Sequence, residues 1–183
     1  MRLLLTGNPG VGKTTLVRAI VERLEDATCA GFYTEEKRQR GKRTGFKVVT
    51  LDGREETLAS LGGRKPTVSK YSIHVEEFEK IVLPELDTAI TPADLYVIDE
   101  IGKMELLSRP FRDRIIELLA QPTNLLATIA KKGKGFVEQI KGRTDVEMIE
   151  VTRNNRDELP EALAREIRIA LSPHLFHPPS RGG

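Results

Sequence analysis

A glycine-rich loop between an apolar strand and an amphipathic helix is the feature that most constrains this chain. The segment LLLT at residues 3–6 precedes GNPGVGKT at residues 7–14, and the helix-forming stretch TLVRAIVERL follows. Glycines let the loop backbone adopt unusual dihedral angles and approach phosphate oxygens closely. A helix that begins directly after the loop adds partial positive charge at its N-terminus. The loop therefore predicts a phosphate-binding site of the P-loop type.

The loop residues match the pattern G-x-x-x-x-G-K-[ST] in full. We expect the Lys13 ammonium to reach the β- and γ-phosphates of a nucleoside triphosphate and the Thr14 hydroxyl to ligate Mg²⁺, the predicted cofactor. The loop and the start of the helix are the predicted nucleotide-binding residues: Gly7, Asn8, Pro9, Gly10, Val11, Gly12, Lys13, Thr14 and Thr15.

Two adjacent carboxylates end the apolar run LYVIDE at residues 95–100. Alternation along a strand aims Asp99 and Glu100 in different directions at the carboxyl edge of a sheet, which predicts two different roles. We expect Asp99 to hold Mg²⁺, directly or through its water, as a Walker-B aspartate does. We expect Glu100 to orient and deprotonate the attacking water. The pair is informative because a complete P-loop precedes it.

Short apolar runs alternate with longer segments of helical period, a pattern that predicts an α/β fold with parallel strands covered by helices on both faces. The predicted strands are residues 3–6, 29–34, 46–51, 95–99, 125–129 and 148–151. The predicted helices are residues 13–24, 76–90, 110–120, 134–141 and 158–171.

Several local signals refine these elements. Pro110 suits a first helical turn and Ser108 a cap, whereas Pro84 should kink or divide the helix over residues 76–90. The cationic segment at residues 37–45 contains two glycines and no apolar residue, which predicts an exposed β-hairpin turn. Residues 172–183 are rich in proline and glycine, so we expect one domain over residues 1–171 followed by a flexible tail.

Composition restricts partners and location. The 29 basic and 27 acidic residues are interspersed, so no overall field indicates nucleic acid or a membrane surface. A single cysteine, Cys29, excludes an internal disulfide, and there is neither a signal peptide nor a long apolar run. We therefore expect a cytoplasmic protein without a membrane partner. The three histidines lack ligand spacing, which argues against a histidine metal site.

Four blocks of the chain resemble the small thermostable P-loop nucleoside triphosphatases, whose animal members are called cancer-related nucleoside triphosphatases. The blocks are NPGVGKTTL at residues 8–16, GFYTEEKRQRGKRTGF at 31–46, DEIGKMEL at 99–106 and VTRNNRDEL at 151–159. The resemblance implies a RecA-like, mostly parallel sheet with an extra strand between the P-loop strand and the Walker-B strand. It also implies hydrolysis of several nucleoside triphosphates to diphosphate and phosphate.

The resemblance further implies substrate-site residues. The intervening strand would be residues 125–129, with Thr128 sensing the γ-phosphate or water. Positions carried over as candidates are Arg38, Arg43, Gly102, Lys103, Glu105, Asn155 and Arg156. A chain acting alone must supply its own cation for the developing γ-phosphate charge, and Arg38, Arg43 or Lys103 are the predicted catalytic cations beside Lys13. The segment NNRD lacks the lysine of the guanine-reading motif N-K-x-D, so we expect broad base tolerance.

Two other functions remain open from the sequence. A small-molecule or nucleotide kinase shares the P-loop and the sheet, although Glu100 beside Asp99 favours hydrolysis. A nucleic-acid-dependent ATPase could use the cations at residues 37–43, although no aromatic residue lies among them to stack on bases.

Overall fold

The structure, a computed structural model, describes residues 1–175. Its strands are β1 (Arg2–Gly7), β2 (Cys29–Gln39), β3 (Lys42–Thr50), β4 (Glu55–Leu61), β5 (Thr67–Val68), β6 (Tyr71–Ile73), β7 (Leu95–Ile101), β8 (Leu125–Ile129) and β9 (Glu147–Val151). Its helices are α1 (Lys13–Val21), α2 (Val75–Glu85), α3 (Arg109–Ala120), α4 (Phe136–Lys141) and α5 (Leu159–Leu175), and a 3₁₀ turn spans Glu105–Leu107.

Within the described residues the strands form one sheet in the order β5-β6-β4-β3-β2-β7-β8-β1-β9. The five strands from β2 to β9 in this order pair in parallel. Strand β8 lies between the P-loop strand β1 and the acidic strand β7, which confirms the predicted RecA-like arrangement. This order brings the carboxyl ends of β1, β8 and β7 to one edge, where ligands bind in such sheets.

The other half of the sheet is antiparallel, and most of its strands were not predicted from the sequence. Strands β3, β4, β6 and β5 extend it beyond β2, and three of these, β4, β5 and β6, were not predicted. Strand β4 mixes exposed and buried positions without a clean period, and β5 and β6 are only two and three residues long, so the strand signal is weak.

The predicted exposed hairpin is present, but its turn is much shorter than expected. Strand β2 continues to Gln39 and β3 begins at Lys42, so only Arg40 and Gly41 form the turn. Both have positive φ, 49° and 75°, as a two-residue hairpin turn requires. Interpreting all of residues 37–45 as turn was wrong because backbone pairing in an exposed ribbon needs no apolar side chains.

Helices cover both faces of the sheet. Helices α1 and α5 pack on one face over a core that includes Leu3, Leu5 and Val97. Helices α2, α3 and α4 pack on the other face, where Phe32, Phe78 and other side chains form the larger core. Leu3 and Leu5 face one core and Leu4 the other, as the period of a strand requires.

The helix ends follow local chemistry. Helix α2 ends at Glu85, directly after Pro84, rather than at the predicted residue 90. The Ser108 side chain accepts a hydrogen bond of 3.0 Å from the Phe111 N–H and so caps α3 as predicted. Helix α5 continues to Leu175, four residues into the predicted tail, and residues 176–183 lie outside the described part. The single-domain boundary at 171 stays a prediction.

No helix among residues 1–175 combines the length and apolar character needed to cross a bilayer.

Candidate active site

The P-loop connects the end of β1 to the start of α1. Gly10 and Gly12 have φ values of 75° and 106°, in the left-handed region that side chains disfavour. Gly12 is also the N-cap residue of α1 and has no side chain to occupy the helix N–H groups. The Lys13 ammonium lies back over the loop, 3.3 Å from the Gly7 carbonyl oxygen, to which it donates. The loop thus presents backbone donors and one cation on the same side.

Asp99 lies at the buried end of β7. Its residue is 1% exposed, and its Oδ1 accepts a hydrogen bond of 2.6 Å from the hydroxyl of Thr128, which is fully buried on β8. Oδ2 is buried and has no hydrogen-bond partner among residues 1–175. Burial raises the pKa of Asp99, whereas the Thr128 and Thr14 hydroxyls and the Lys13 ammonium lower it. The unpartnered oxygen near Thr14 is what a cation-binding carboxylate presents.

Glu100 faces a cavity of about 600 Å³ that the P-loop also lines. Gly7, Asn8, Pro9 and Lys13 form the P-loop side of the cavity. Burial is the main cause of a raised pKa at Glu100, the Asp99 carboxylate raises it further, and Lys13 lowers it. A carboxyl with a raised pKa in a cleft is suited to accept a proton.

A second carboxyl, Glu105, lies behind Glu100. It belongs to the 3₁₀ turn, is 6% exposed, and lines the same cavity. A Cβ placed on Gly102 would lie 2.9 Å from Glu105 Oε2 and 3.4 Å from Glu100 Cδ, so the two carboxyl groups flank this glycine. Burial and the charges of Glu100 and Asp99 raise the pKa of Glu105 to about 8. Gly102 therefore provides the space in which the two carboxyl groups approach each other.

Three further lysines line the cavity: Lys103 after β7, and Lys131 and Lys132 after β8. Lys131 pairs with Glu150 at 2.5 Å, whereas no carboxylate of residues 1–175 lies within ion-pair distance of Lys103 or Lys132. Sequence reasoning missed Lys131 and Lys132. Their position directly after a buried strand, at the edge that holds the P-loop, was the signal that could have found them.

Arg38 and Arg43 do not line this cavity. They lie near the hairpin tip, where both guanidinium groups pair with Glu36 at 2.5 Å. Arg43 also lies over the Phe46 ring, 5.4 Å from its centroid. In this arrangement Lys103 is the one of the three predicted catalytic cations that shares the cavity with Lys13, and the roles of both arginines stay predictions.

Asn155 and Arg156 lie on the other side of the P-loop. The Asn155 side chain accepts from the Thr152 N–H at 2.8 Å and donates to the Glu150 carbonyl at 2.9 Å, so it holds the loop after β9. Arg156 donates to the Val11 carbonyl of the P-loop at 3.2 Å. Both are apart from the main cavity, and Thr15 is exposed on α1. The contacts of Asn155, Arg156 and Thr15 with the nucleotide stay predictions.

The cavity has an apolar wall opposite the P-loop, formed by Phe46 of β3, Val68 of β5 and Met104. Thr34 of β2 also lines it. None of these residues was singled out from the sequence, because they are far from the P-loop along the chain and approach it only when their strands join β1 in one sheet.

Comparison with known proteins agrees with this architecture. The model of a family described as NTPase matches residues 2–164. The nucleoside-triphosphatase THEP1 of Thermotoga sp. (strain RQ2) is 46% identical over 160 residues, which cover 87% of this chain and 91% of that protein. The cancer-related nucleoside-triphosphatase homolog of Mus musculus is 41% identical, with 87% and 93% covered.

Solved structures agree as well. The crystal structure of THEP1 from Aquifex aeolicus superposes with a TM-score of 0.83 at 38% identity, covering 91% of this chain and 99% of that one. The solution structure of a human cancer-related nucleoside triphosphatase gives a TM-score of 0.80 at 40% identity, with 92% and 98% covered. With a P-loop, an acidic β7 edge and a matching family model over most of its length, the chain belongs to this family of NTPases.

Proposed function

We propose that this protein is a Mg²⁺-dependent nucleoside triphosphatase that hydrolyses several nucleoside triphosphates to diphosphate and phosphate by attack of water on the γ-phosphorus. The observation that carries the proposal is the convergence of Lys13, Asp99 and Glu100 at one edge of the sheet, next to the open N-terminus of α1. These groups supply what phosphoryl transfer to water requires: a cradle, a cation site and a base.

The donor set fits Mg²⁺. The Thr14 hydroxyl and the unpartnered Oδ2 of Asp99 would hold it, and the described residues contain no cluster of three or more His, Cys, Asp or Glu suited to a metal. Mg²⁺ in such sites is bound by one or two protein groups, with phosphate and water completing the shell. When bound, the ion neutralises charge on the β- and γ-phosphates.

The residues divide the remaining work. The backbone N–H groups of the P-loop and the Lys13 ammonium bind and orient the triphosphate, and Lys103 faces the side where negative charge develops on the γ-phosphate. Glu100 accepts a proton as the water oxygen bonds to phosphorus and the bond to the β-phosphate oxygen breaks. Thr128 holds Asp99 by its 2.6 Å hydrogen bond and so orients the free oxygen.

Glu100→Gln tests the proposal, because glutamine keeps size and hydrogen bonding but removes the basic carboxylate. General-base catalysis contributes about 10² to 10⁴-fold, so kcat should fall by about that factor while triphosphate affinity changes little. Single-turnover hydrolysis and equilibrium binding of the same variant measure the two quantities. Glu138→Gln, on the exposed face of α4, is the matched control and should behave as wild type.

Near-normal hydrolysis with weakened binding would show that Glu100 has another role. If phosphate instead moves to an added acceptor with little release into solution, the protein is a kinase rather than a triphosphatase.

We also propose where in the cell the enzyme acts and what it binds. The single cysteine and interspersed charges favour a cytoplasmic enzyme whose partner is its nucleotide. Nucleic acid is a weak candidate partner, since Glu36 offsets part of the charge of Arg38 and Arg43. Stimulation of hydrolysis by added DNA or RNA would contradict this.

A further inference from the structure

The main cavity is lined by the P-loop and Glu100 and also by residues of β2, β3 and β5. Across the carboxyl edge of the sheet, the P-loop follows β1, Lys131 and Lys132 follow β8, and Glu100 lies on β7. Thr34 of β2, Phe46 of β3 and Val68 of β5 come next in the same direction. Phe46 and Val68 are therefore on the far side of Glu100 from the P-loop, and Met104 follows the strand that carries Glu100.

The direction in which the nucleotide lies determines which of its groups can reach this wall. In the proposed function the γ-phosphate lies at Glu100, so the rest of the nucleotide leads away from the wall, toward the P-loop and β9. A separate cavity of about 260 Å³ lies on that side, lined by Asn8, Gly10 and residues 150–153. The sugar and base thus have space that does not include the wall.

The wall and its rim have a definite chemistry. Phe46, Val68 and Met104 are half-buried and present aromatic, branched and thioether surface. Phe46 is held in place by edge-to-face packing on Tyr71, with ring centroids 5.4 Å apart, and by Arg43 over its ring. Lys103 and Lys132, exposed and without a carboxylate partner among residues 1–175, stand at the rim with Lys131.

Hydrolysis does not require an apolar surface at this place, because water is the attacking group. A fixed aromatic side chain favours contact with a planar ring, and ammonium groups without a carboxylate partner favour an anionic substituent. The cavity of about 600 Å³ includes both the phosphate site and the space beside the wall.

We propose that the wall formed by Phe46, Val68 and Met104, with the rim lysines Lys103 and Lys132, is a second ligand subsite for a small aromatic anion that binds beside the γ-phosphate at the same time as the nucleotide. The antiparallel extension of the sheet contributes Phe46 and Val68 to this subsite, and the segments after β7 and β8 contribute the other three residues. The inference rests on the proposed function only for the direction in which the nucleotide lies.

The test uses 1-naphthoate as probe, a planar ring system with one carboxylate. Its binding to the full chain is measured by calorimetry, first with the free protein and then with saturating Mg²⁺ and the non-hydrolysable β,γ-imido analogue of ATP. We expect one bound 1-naphthoate in both cases: the γ-phosphate charge should weaken it to a limiting affinity, rather than in proportion to the analogue concentration as competition would. The affinity for AMP, an aromatic anion of the nucleotide class, is measured in parallel with saturating analogue present. Comparing it with the affinity for 1-naphthoate shows whether the subsite prefers a nucleotide or a simple aromatic carboxylate.

Two variants assign the probe to the wall and the rim. Val68→Asp, on a short half-buried strand, should weaken 1-naphthoate binding by at least about tenfold through like-charge repulsion and lost apolar contact. Lys132→Ala should weaken it about threefold to tenfold through loss of the cation. The controls are Ile169→Ala, an exposed apolar residue of α5, and Lys134→Ala, an exposed lysine outside the cavity lining, which should leave binding unchanged.

Competition between 1-naphthoate and the analogue would overturn the proposal, because the wall would then belong to the nucleotide site. Absence of any bound 1-naphthoate, or equal affinity in Val68→Asp and wild type, would overturn it as well. Analogue binding is measured separately in every variant. Failure of the analogue to bind wild type would refute the triphosphatase, whereas the response of 1-naphthoate to Val68→Asp would still decide the subsite.

Discussion

Replacing Glu105 by glutamine should stabilise the protein at neutral pH. The gain in the free energy of unfolding should grow as the pH rises. Glu105 is buried beside Glu100 and Asp99, and no cation within residues 1–175 forms an ion pair with it. The N–H groups of Gly102 and Glu105 offset only part of the burial effect on its pKa. Glutamine can accept from the same N–H groups and never ionises.

The magnitude follows from the two pKa values. The pKa of Glu105 is about 8 in the folded protein and 4.5 in an unperturbed side chain. Above pH 4.5 the unfolded chain releases this proton while the folded chain keeps it, so the contribution of Glu105 to stability falls as pH rises. The slope is about 1.4 kcal/mol per pH unit and ends near the folded pKa, which makes the cost about 3 kcal/mol at pH 7.

Urea unfolding of wild type and Glu105→Gln at pH 4.5, 6, 7 and 8 measures the prediction. The glutamine variant should gain stability over wild type as pH rises, with the difference growing to about 3 kcal/mol between pH 4.5 and 7. Glu105→Ala is the control: it should show the same slope with a constant loss added, because it also leaves a cavity. A stability difference between Glu105→Gln and wild type that does not change with pH would refute the reasoning.

Three other outcomes are expected, two from the structure and one from the segment NNRD, which lacks the lysine of the guanine-reading motif. Lys13→Ala should abolish nucleotide binding or turnover, because Lys13 is the cation that lies over the P-loop; unaltered hydrolysis in a phosphate-release assay would contradict the site. Release of phosphate from ATP, GTP, CTP and UTP should occur at similar rates, and a strong preference for one base would contradict broad tolerance. Ser108→Ala should lower the free energy of unfolding by about 1 kcal/mol in urea titrations, since it removes the cap of α3, and an unchanged midpoint would show that water replaces the hydroxyl.

Local sequence determined the features whose physics is confined to a few residues. Gly10 and Gly12 permit positive φ whatever surrounds them, and the Ser108 hydroxyl caps α3 by accepting from an N–H three residues along the chain. Asp99 and Glu100 could be predicted because a short apolar strand ending in acidic residues places them at the same edge as the P-loop. The parallel half of the sheet followed from the alternation of strands and helices.

The tertiary structure alone decided which distant residues share the cavity. Arg38 and Arg43 were as plausible as Lys103 in sequence, but the short turn at Arg40 and Gly41 carries them to a hairpin tip where Glu36 pairs with both. Phe46 and Val68 reach the site only through the antiparallel strand pairing of the sheet. The burial of Glu105, and with it the raised pKa, depends equally on packing. Sequence periodicity indicates which face of a helix or strand is apolar. The element that packs against that face is determined by contacts between segments far apart in the chain, and no local sequence pattern encodes those contacts.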